Sequence, residues 1–84
     1  MLVHRADISV TERQDFEQAI RDCGKDPRTF RAELFETSLS EAGPRLRRVH
    51  VHVVHSRAAA QYEASGDLGW TGRFALHLAL GVFG

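Results

Sequence analysis

The stretch Arg45-Leu-Arg-Arg-Val-His-Val-His-Val-Val-His55 decides the fold of this chain. Valines occupy every second position at its centre, and arginine or histidine fills the positions between: Val49, Val51 and Val53 alternate with Arg48, His50 and His52. Successive side chains of a β-strand point to opposite faces of the sheet, and β-branched valine fits a pleated surface. The stretch therefore predicts a strand over residues 46–54, in a sheet with one buried face and one face open to water.

A helix is predicted near the start of the chain. Ser9-Val-Thr-Glu12 has the spacing of a capping box, in which two side chains satisfy backbone N–H groups at a helix start. Apolar residues then follow at i, i+3, i+4 and i+7, which places them on one helix face: Phe16, Ala19, Ile20 and Cys23. Gly24 and Pro27 favour a stop. We expect a helix over residues 10–23, with Cys23 as a small buried apolar residue.

Two further strands are predicted on either side of the valine strand in the chain. Residues 29–37 and residues 59–64 both alternate between apolar and polar side chains. Turns are predicted at 40–44, where glycine and proline cluster, and at 55–58. The side chains expected to face the core are Phe30, Ala32, Leu34, Ala60, Tyr62 and Ala64.

The last segment fits two patterns. Its apolar residues alternate as in a strand: Phe74, Leu76, Leu78, Leu80 and Val82. Trp70, Phe74 and Leu78 also lie at helical spacing, and Thr71 is the only β-branched residue between positions 70 and 80. Helix formers dominate the segment, so we favour a helix. Asp67 could cap its start, and Gly81 or Gly84 could end it.

These elements predict an α+β fold of two layers. Its order is helix, three-stranded antiparallel meander, C-terminal helix (αβββα), with both helices on the valine face of the sheet. The 84 residues are expected to form a single small domain, 1–84. A core of this size is marginal without a disulfide, a metal or a partner subunit. A single cysteine excludes a disulfide within the chain.

The charge and the hydropathy pattern narrow the classes of function. The chain has 11 basic and 11 acidic residues, and domains that hold nucleic acid through phosphates usually carry a basic excess. No apolar run has the length of a signal peptide or a membrane span. We expect a soluble, cytoplasmic protein with no membrane partner and no cofactor.

The C-terminal third resembles a group of short uncharacterised bacterial proteins. The resemblance rests on Tyr62-Glu-Ala-Ser-Gly-Asp-Leu-Gly-Trp70, followed by Phe74, Leu78, Gly81 and a final Val-Phe-Gly84. It covers about 25 residues well. It implies a helix, three strands and a closing helix, which agrees with the fold above, and it implies no activity. Where that group tends to carry an acidic residue, this chain has His77.

Histidines on the valine strand are the first candidate site. His50 and His52 project side by side from the predicted strand, with His55 close behind, and two such imidazoles could bind one metal ion. Glu33 or Glu63, on neighbouring strands, could supply a third ligand. Imidazoles are also ordinary half-exposed strand residues, and no Cys-x-x-Cys pattern accompanies them. We therefore predict no metal site, and the weak candidates are His50, His52, Glu33 and Glu63.

The same polar face offers a second candidate, a nucleic-acid surface. An exposed aromatic residue among arginines could stack on a base and contact phosphates. The chain has five arginines around the predicted sheet: Arg31, Arg45, Arg47, Arg48 and Arg57. The residues predicted to bind in this case are Arg31, Phe35, Arg48, His50 and His52. Cross-strand arginine–glutamate pairs on a solvated face explain the same residues, so this function is an alternative.

Contact with another protein chain is the preferred function. Trp70, Phe74 and Leu78 form one stripe of the last helix, and Leu76 and Leu80 point to a different side, which one small sheet does not readily cover. Leu76, Leu80 and Phe83 are therefore the predicted interface residues. Serine and glycine residues lack nucleophile-elbow, Rossmann or P-loop spacing. We expect a non-catalytic protein that binds an unknown protein partner or a second copy of itself as a homodimer.

Overall fold

The computed structural model describes residues 2–38, 45–64 and 69–84. They form an α+β fold with a four-stranded antiparallel sheet in the order β1-β2-β3-β4 and two helices. The elements are β1 (Leu2–Ala6), α1 (Val10–Asp22), β2 (Phe30–Ser38), β3 (Arg45–Val53), β4 (Ala59–Glu63) and α2 (Trp70–Ala79), with a short 3-10 turn at Pro27–Thr29 before β2. The predicted class is thus confirmed.

Strand β1 was missing from the prediction, and the expectation of three strands is wrong by one. Leu2–Ala6 pairs antiparallel with β2, from Leu2 opposite Ser38 to Ala6 opposite Leu34. The sequence Leu-Val-His-Arg-Ala puts apolar residues on both faces of the strand, so it lacks the alternation by which the other strands are recognised. This edge strand of five residues is held in place by its backbone pairing with β2. That pairing cannot be recognised from the residues of β1 alone.

Helix α1 begins at the predicted residue and ends one residue before the predicted end, at Asp22. The Ser9 hydroxyl accepts a hydrogen bond from the Glu12 backbone N–H, and the Glu12 carboxylate accepts one from the Ser9 N–H, each 3.1 Å long. Phe16 and Ile20 are buried. Cys23 is exposed, so its predicted burial is wrong. It is the C-cap residue, where the backbone leaves the helix, and Gly24 follows with a φ of 74°.

The register of the sheet matches the alternation of the valine strand. Val49 lies between Leu34 of β2 and Tyr62 of β4, and Val51 lies between Ala32 and Ala60. Val49 and Val51 are fully buried, whereas the residues between them on β3 lie on the other face. The predicted strand bounds differ from the observed ones by one residue at most ends. The predicted turn at 40–44 and the Asp67 cap lie outside the described residues.

Helix α2 confirms the helical interpretation of the last segment. Its stripe of Trp70, Phe74 and Leu78 is buried, and the helix ends before Gly81, which has a φ of 79°. The Phe74 ring lies 4.8 Å from the Phe16 ring of α1, measured between centroids. Both helices cover the valine face of the sheet and share one core with it. Within the described ranges, no helix is long and apolar enough to cross a membrane.

Candidate functional site

The face of the sheet that points away from the helices is the main candidate surface. Alternate residues of all four strands project from it, and we call this surface the open face. Its described residues are Val3, Arg5, Arg31, Glu33, Phe35, Thr37, Leu46, Arg48, His50, His52, Ala59, Gln61 and Glu63. The register therefore brings together side chains from both ends of the chain.

Two cross-strand rows at the centre of the open face carry most of its charge. The Arg5–Glu63 row crosses all four strands and also contains Phe35 and Arg48. In the Glu33–Gln61 row, which lies next to it, Glu33 is opposite His50 and His50 is opposite Gln61. The two outer strands thus place a cation at one edge of the Arg5–Glu63 row and an anion at the other.

A hollow of about 370 Å³ opens at one end of this face. Its lining combines apolar side chains with a guanidinium and an imidazole: Val3, Phe35, Thr37, Leu46, Arg48 and His50. The rings of Phe35 and His50 are 4.7 Å apart between centroids. Val3 and Leu46 are 58% and 46% exposed, which is high for branched apolar residues of a sheet. The hollow is therefore an uncovered apolar site with a cationic border.

Charges of both signs alternate over the open face. The Arg5 guanidinium lies 3.5 Å from the Glu33 carboxylate. Arg31 donates hydrogen bonds of 3.2 Å to the carbonyl oxygens of Arg28 and Phe30. Within the described chain the Arg48 guanidinium has neither a hydrogen bond nor an ion pair. The open face consequently carries charges of both signs. Among its arginines with described side chains, only Arg48 has all its hydrogen-bond donors available for a new partner.

The structure brings only part of the predicted nucleic-acid set together. Phe35, Arg48 and His50 line the hollow side by side. Arg31 and His52 face one another at the other end of the sheet. Glu33 lies between the two groups on β2, so its negative charge interrupts the basic surface.

The candidate metal ligands are similarly divided. Glu33 is directly opposite His50, as a shared site would require, but His52 is opposite Arg31 and Glu63 is opposite Arg48. His55 lies in the turn after β3 with a φ of 65°. No three His, Cys, Asp or Glu side chains come close enough to hold a metal ion in residues 2–38, 45–64 and 69–84. The geometry thus offers one imidazole–carboxylate neighbour pair and no ligand set.

The predicted interface residues of the C-terminal segment have different positions. Leu76 and Leu80 are 56% and 70% exposed on the outer side of α2, and Val82 is 47% exposed beyond its end. Phe83 is buried and lies 5.4 Å from Phe74, measured between ring centroids, so its prediction as an interface residue is wrong. The chain reverses at Gly81, and this turn directs Phe83 back into the core.

Two polar contacts on the helix side escaped the sequence analysis. The Trp70 indole N–H donates a 2.6 Å hydrogen bond to the Glu12 carboxylate, which joins the starts of α1 and α2. Burial alone would raise the pKa of Glu12, but hydrogen bonds from Trp70 and Ser9 and the charge of Arg47 hold this pKa below its usual value. The Tyr62 hydroxyl lies 2.8 Å from His77 Nδ1, and burial raises the pKa of Tyr62 to about 12.

Comparison of the chain with protein-family models, curated proteins and solved structures found no match. The resemblance of the C-terminal third to a group of short bacterial proteins therefore stays a prediction.

Proposed function

We propose that this chain is a small, non-catalytic cytoplasmic protein that acts through protein–protein contact and forms a homodimer. The open face of the sheet is the observation that carries the proposal. Its charges of both signs and its apolar hollow combine apolar contact area with polar groups, as protein interfaces do. A sheet with helices on one face only also gains stability when a second protein covers the other face.

The perturbed titratable groups all have structural explanations that require no catalytic role. Catalytic acids and bases usually have shifted pKa values inside a cleft. The pKa of Glu12 is lowered beside the helix cap, and that of Tyr62 is raised by burial on the helix side. Asp26 and Arg28 shift each other's pKa through a surface ion pair of 3.0 Å. Local structure accounts for each of these shifts, and none of the four groups lines the hollow.

The outer side of α2 supports the same class of function. Arg73 is the only charged residue of this helix, since His77 is counted as neutral. A helix at the surface of a protein normally turns polar side chains to the solvent. Leu76 and Leu80 are nevertheless exposed, which gives the chain a second apolar surface, on the helix side of the fold.

Sedimentation equilibrium over a range of concentrations tests the proposal. We expect the protein to be monomeric at low micromolar concentration and dimeric at hundreds of micromolar. Leu80→Asp and Phe35→Asp, one on each side of the fold, then locate the interface, because only the variant on the dimer surface should weaken association. A strict monomer throughout the range would contradict self-association.

Nucleic-acid binding is the second candidate function. The neighbouring positions of Phe35, Arg48 and His50 favour it, since an aromatic ring beside a free guanidinium can hold a base and a phosphate. Under this alternative, Arg48→Ala and Phe35→Ala weaken binding, and the affinity falls steeply with salt concentration. Titration of single-stranded RNA and DNA at low salt decides it, because failure to bind there removes the candidate.

A further inference from the structure

We propose that two copies of this chain pack open face against open face, with their strands aligned and β2 of each copy lying over β3 of the other. The inference rests on the proposed self-association and specifies its geometry. Two antiparallel sheets commonly pack this way, with their strands within about 30° of one another and the sheets about 10 Å apart. Because the interface is isologous, each contact occurs twice.

The order of the strands determines which rows meet. A two-fold axis that runs parallel to the strands, between β2 and β3, places β2 over the partner's β3 and β1 over the partner's β4. Residues keep their level along the strands under this rotation. Each cross-strand row therefore lies over the same row of the partner, with the order of the four strands reversed.

Reversal of the two central rows makes their charges complementary. The Arg5–Glu63 row places a cation over an anion at both edges and an aromatic ring over a guanidinium at the centre. The Glu33–Gln61 row places a carboxylate over an imidazole. The contacts are Arg5 with the partner's Glu63, Phe35 with the partner's Arg48, and Glu33 with the partner's His50. Arg48, which has no ion pair within the described chain, thereby gains a cation–π contact.

The other two-fold arrangement of the same faces is less favourable. A two-fold axis that lies between the sheets and perpendicular to the strands places every strand over the same strand of the partner, running in the opposite direction. Centred between the two rows, it brings Arg48 over the partner's His50 and leaves Glu63 over the partner's Gln61. The Arg5–Glu63 and Glu33–His50 pairs are then lost. The axis parallel to the strands keeps both pairs, and in the next row it brings Arg31 over the partner's His52. Charge complementarity therefore selects the axis parallel to the strands.

The size of the open face suits a dimer of modest affinity. Four strands at about 4.8 Å spacing give a width of roughly 19 Å, and strands of five to nine residues give a length of roughly 17–30 Å. Each copy would bury on the order of 500 Å², about 1,000 Å² in total, which is the lower limit for a specific interface. Association is thus expected to depend on concentration.

Charge reversal at the two edge positions tests this geometry. Arg5→Glu places two carboxylates together at both edges of the dimer, and Glu63→Arg places two guanidiniums together. Each variant alone should associate at least about tenfold more weakly than the wild type, since like charges are juxtaposed. An equimolar mixture of the two variants should recover association, because both edge contacts of the heterodimer then join opposite charges.

Sedimentation equilibrium of each variant and of the mixture provides the measurement. Arg13→Glu, the same charge change at an exposed position on α1, is the matched control and should dimerise like the wild type. Thermal melts verify that each variant is folded. A mixture that associates no better than its components would overturn the geometry.

The remaining outcomes separate this inference from the proposed function. A dimer that is broken by Leu80→Asp and preserved in Arg5→Glu would move the interface to α2, so the geometry would fail while self-association stands. A wild-type protein that is monomeric throughout the concentration range would contradict both.

Discussion

At the scale of single residues, one position along β3 separates the core from the solvent. Val51 is fully buried between Ala32 and Ala60, and His52 lies on the open face. A shift of the register by one residue would exchange these environments. The two neighbours should therefore respond in opposite ways to substitution.

We predict that Val51→Asp abolishes cooperative unfolding, because an unpaired carboxylate would enter an apolar core at a cost that exceeds the stability of a small fold. His52→Ala should change the free energy of unfolding by less than about 0.5 kcal/mol, as for an ordinary surface position. Val3→Asp is the matched control, since this valine is 58% exposed on a strand. Urea titration followed by circular dichroism measures all three, and a Val51→Asp protein that unfolds like the wild type would refute the assignment of faces.

The sequence predicted correctly which side chains are buried within the helices and strands, and it predicted burial poorly at the ends of the helices. The alternation on β3 fixed the faces of its valines and histidines, and both were confirmed. Cys23 and Phe83 were assigned wrongly because they follow the last regular turn of a helix. A periodic pattern determines the direction of a side chain only while the backbone is regular. Beyond α1 and α2 the direction depends on left-handed glycines and on the core that the tail meets.

At the scale of elements, one carboxylate joins the starts of α1 and α2 and adds a polar contact to their shared apolar core. Glu12 caps α1, accepts the Trp70 indole hydrogen bond and lies 3.9 Å from the Arg47 guanidinium. The capping box was evident from the sequence. The bond to Trp70 was not, because 58 residues separate the two partners and only the packing of the helices brings them together.

We predict that Glu12→Gln lowers the free energy of unfolding at pH 7 by about 1 kcal/mol, the usual cost of a weakened cap. The pKa of Glu12 is lowered in the folded state, so the stability from its charge is present above the unfolded pKa of about 4.3 and is lost as the pH falls through the folded value. The difference between wild type and variant should therefore shrink as the pH falls below about 4.3. Urea titrations from pH 3 to 7 test this, with Glu17→Gln, which removes a surface pair with Arg21, as the control.

At the scale of the whole molecule, the candidate site depends on strand β1. The residues at the centre of the open face could be listed from the sequence, since the alternation on β2 and β3 exposes them. Arg5 could not, because its position follows from the pairing of β1 with β2. The complementarity between Arg5 and Glu63 is a property of the complete sheet, whose two edge strands lie far apart in the sequence.

A dimer that covers the open face should also stabilise the fold. A chain of this length has a marginal core, and binding to the folded state alone adds stability that grows with ligand concentration, here the concentration of the protein itself. We predict that the melting temperature of the wild type rises between about 5 and 500 μM protein, by about 4–8 °C for each kcal/mol gained. Arg5→Glu should show a clearly smaller rise over the same range, because its edge contacts repel. Differential scanning calorimetry measures both, and a wild-type melting temperature that is independent of concentration would mean that the folded chain gains nothing from a second copy.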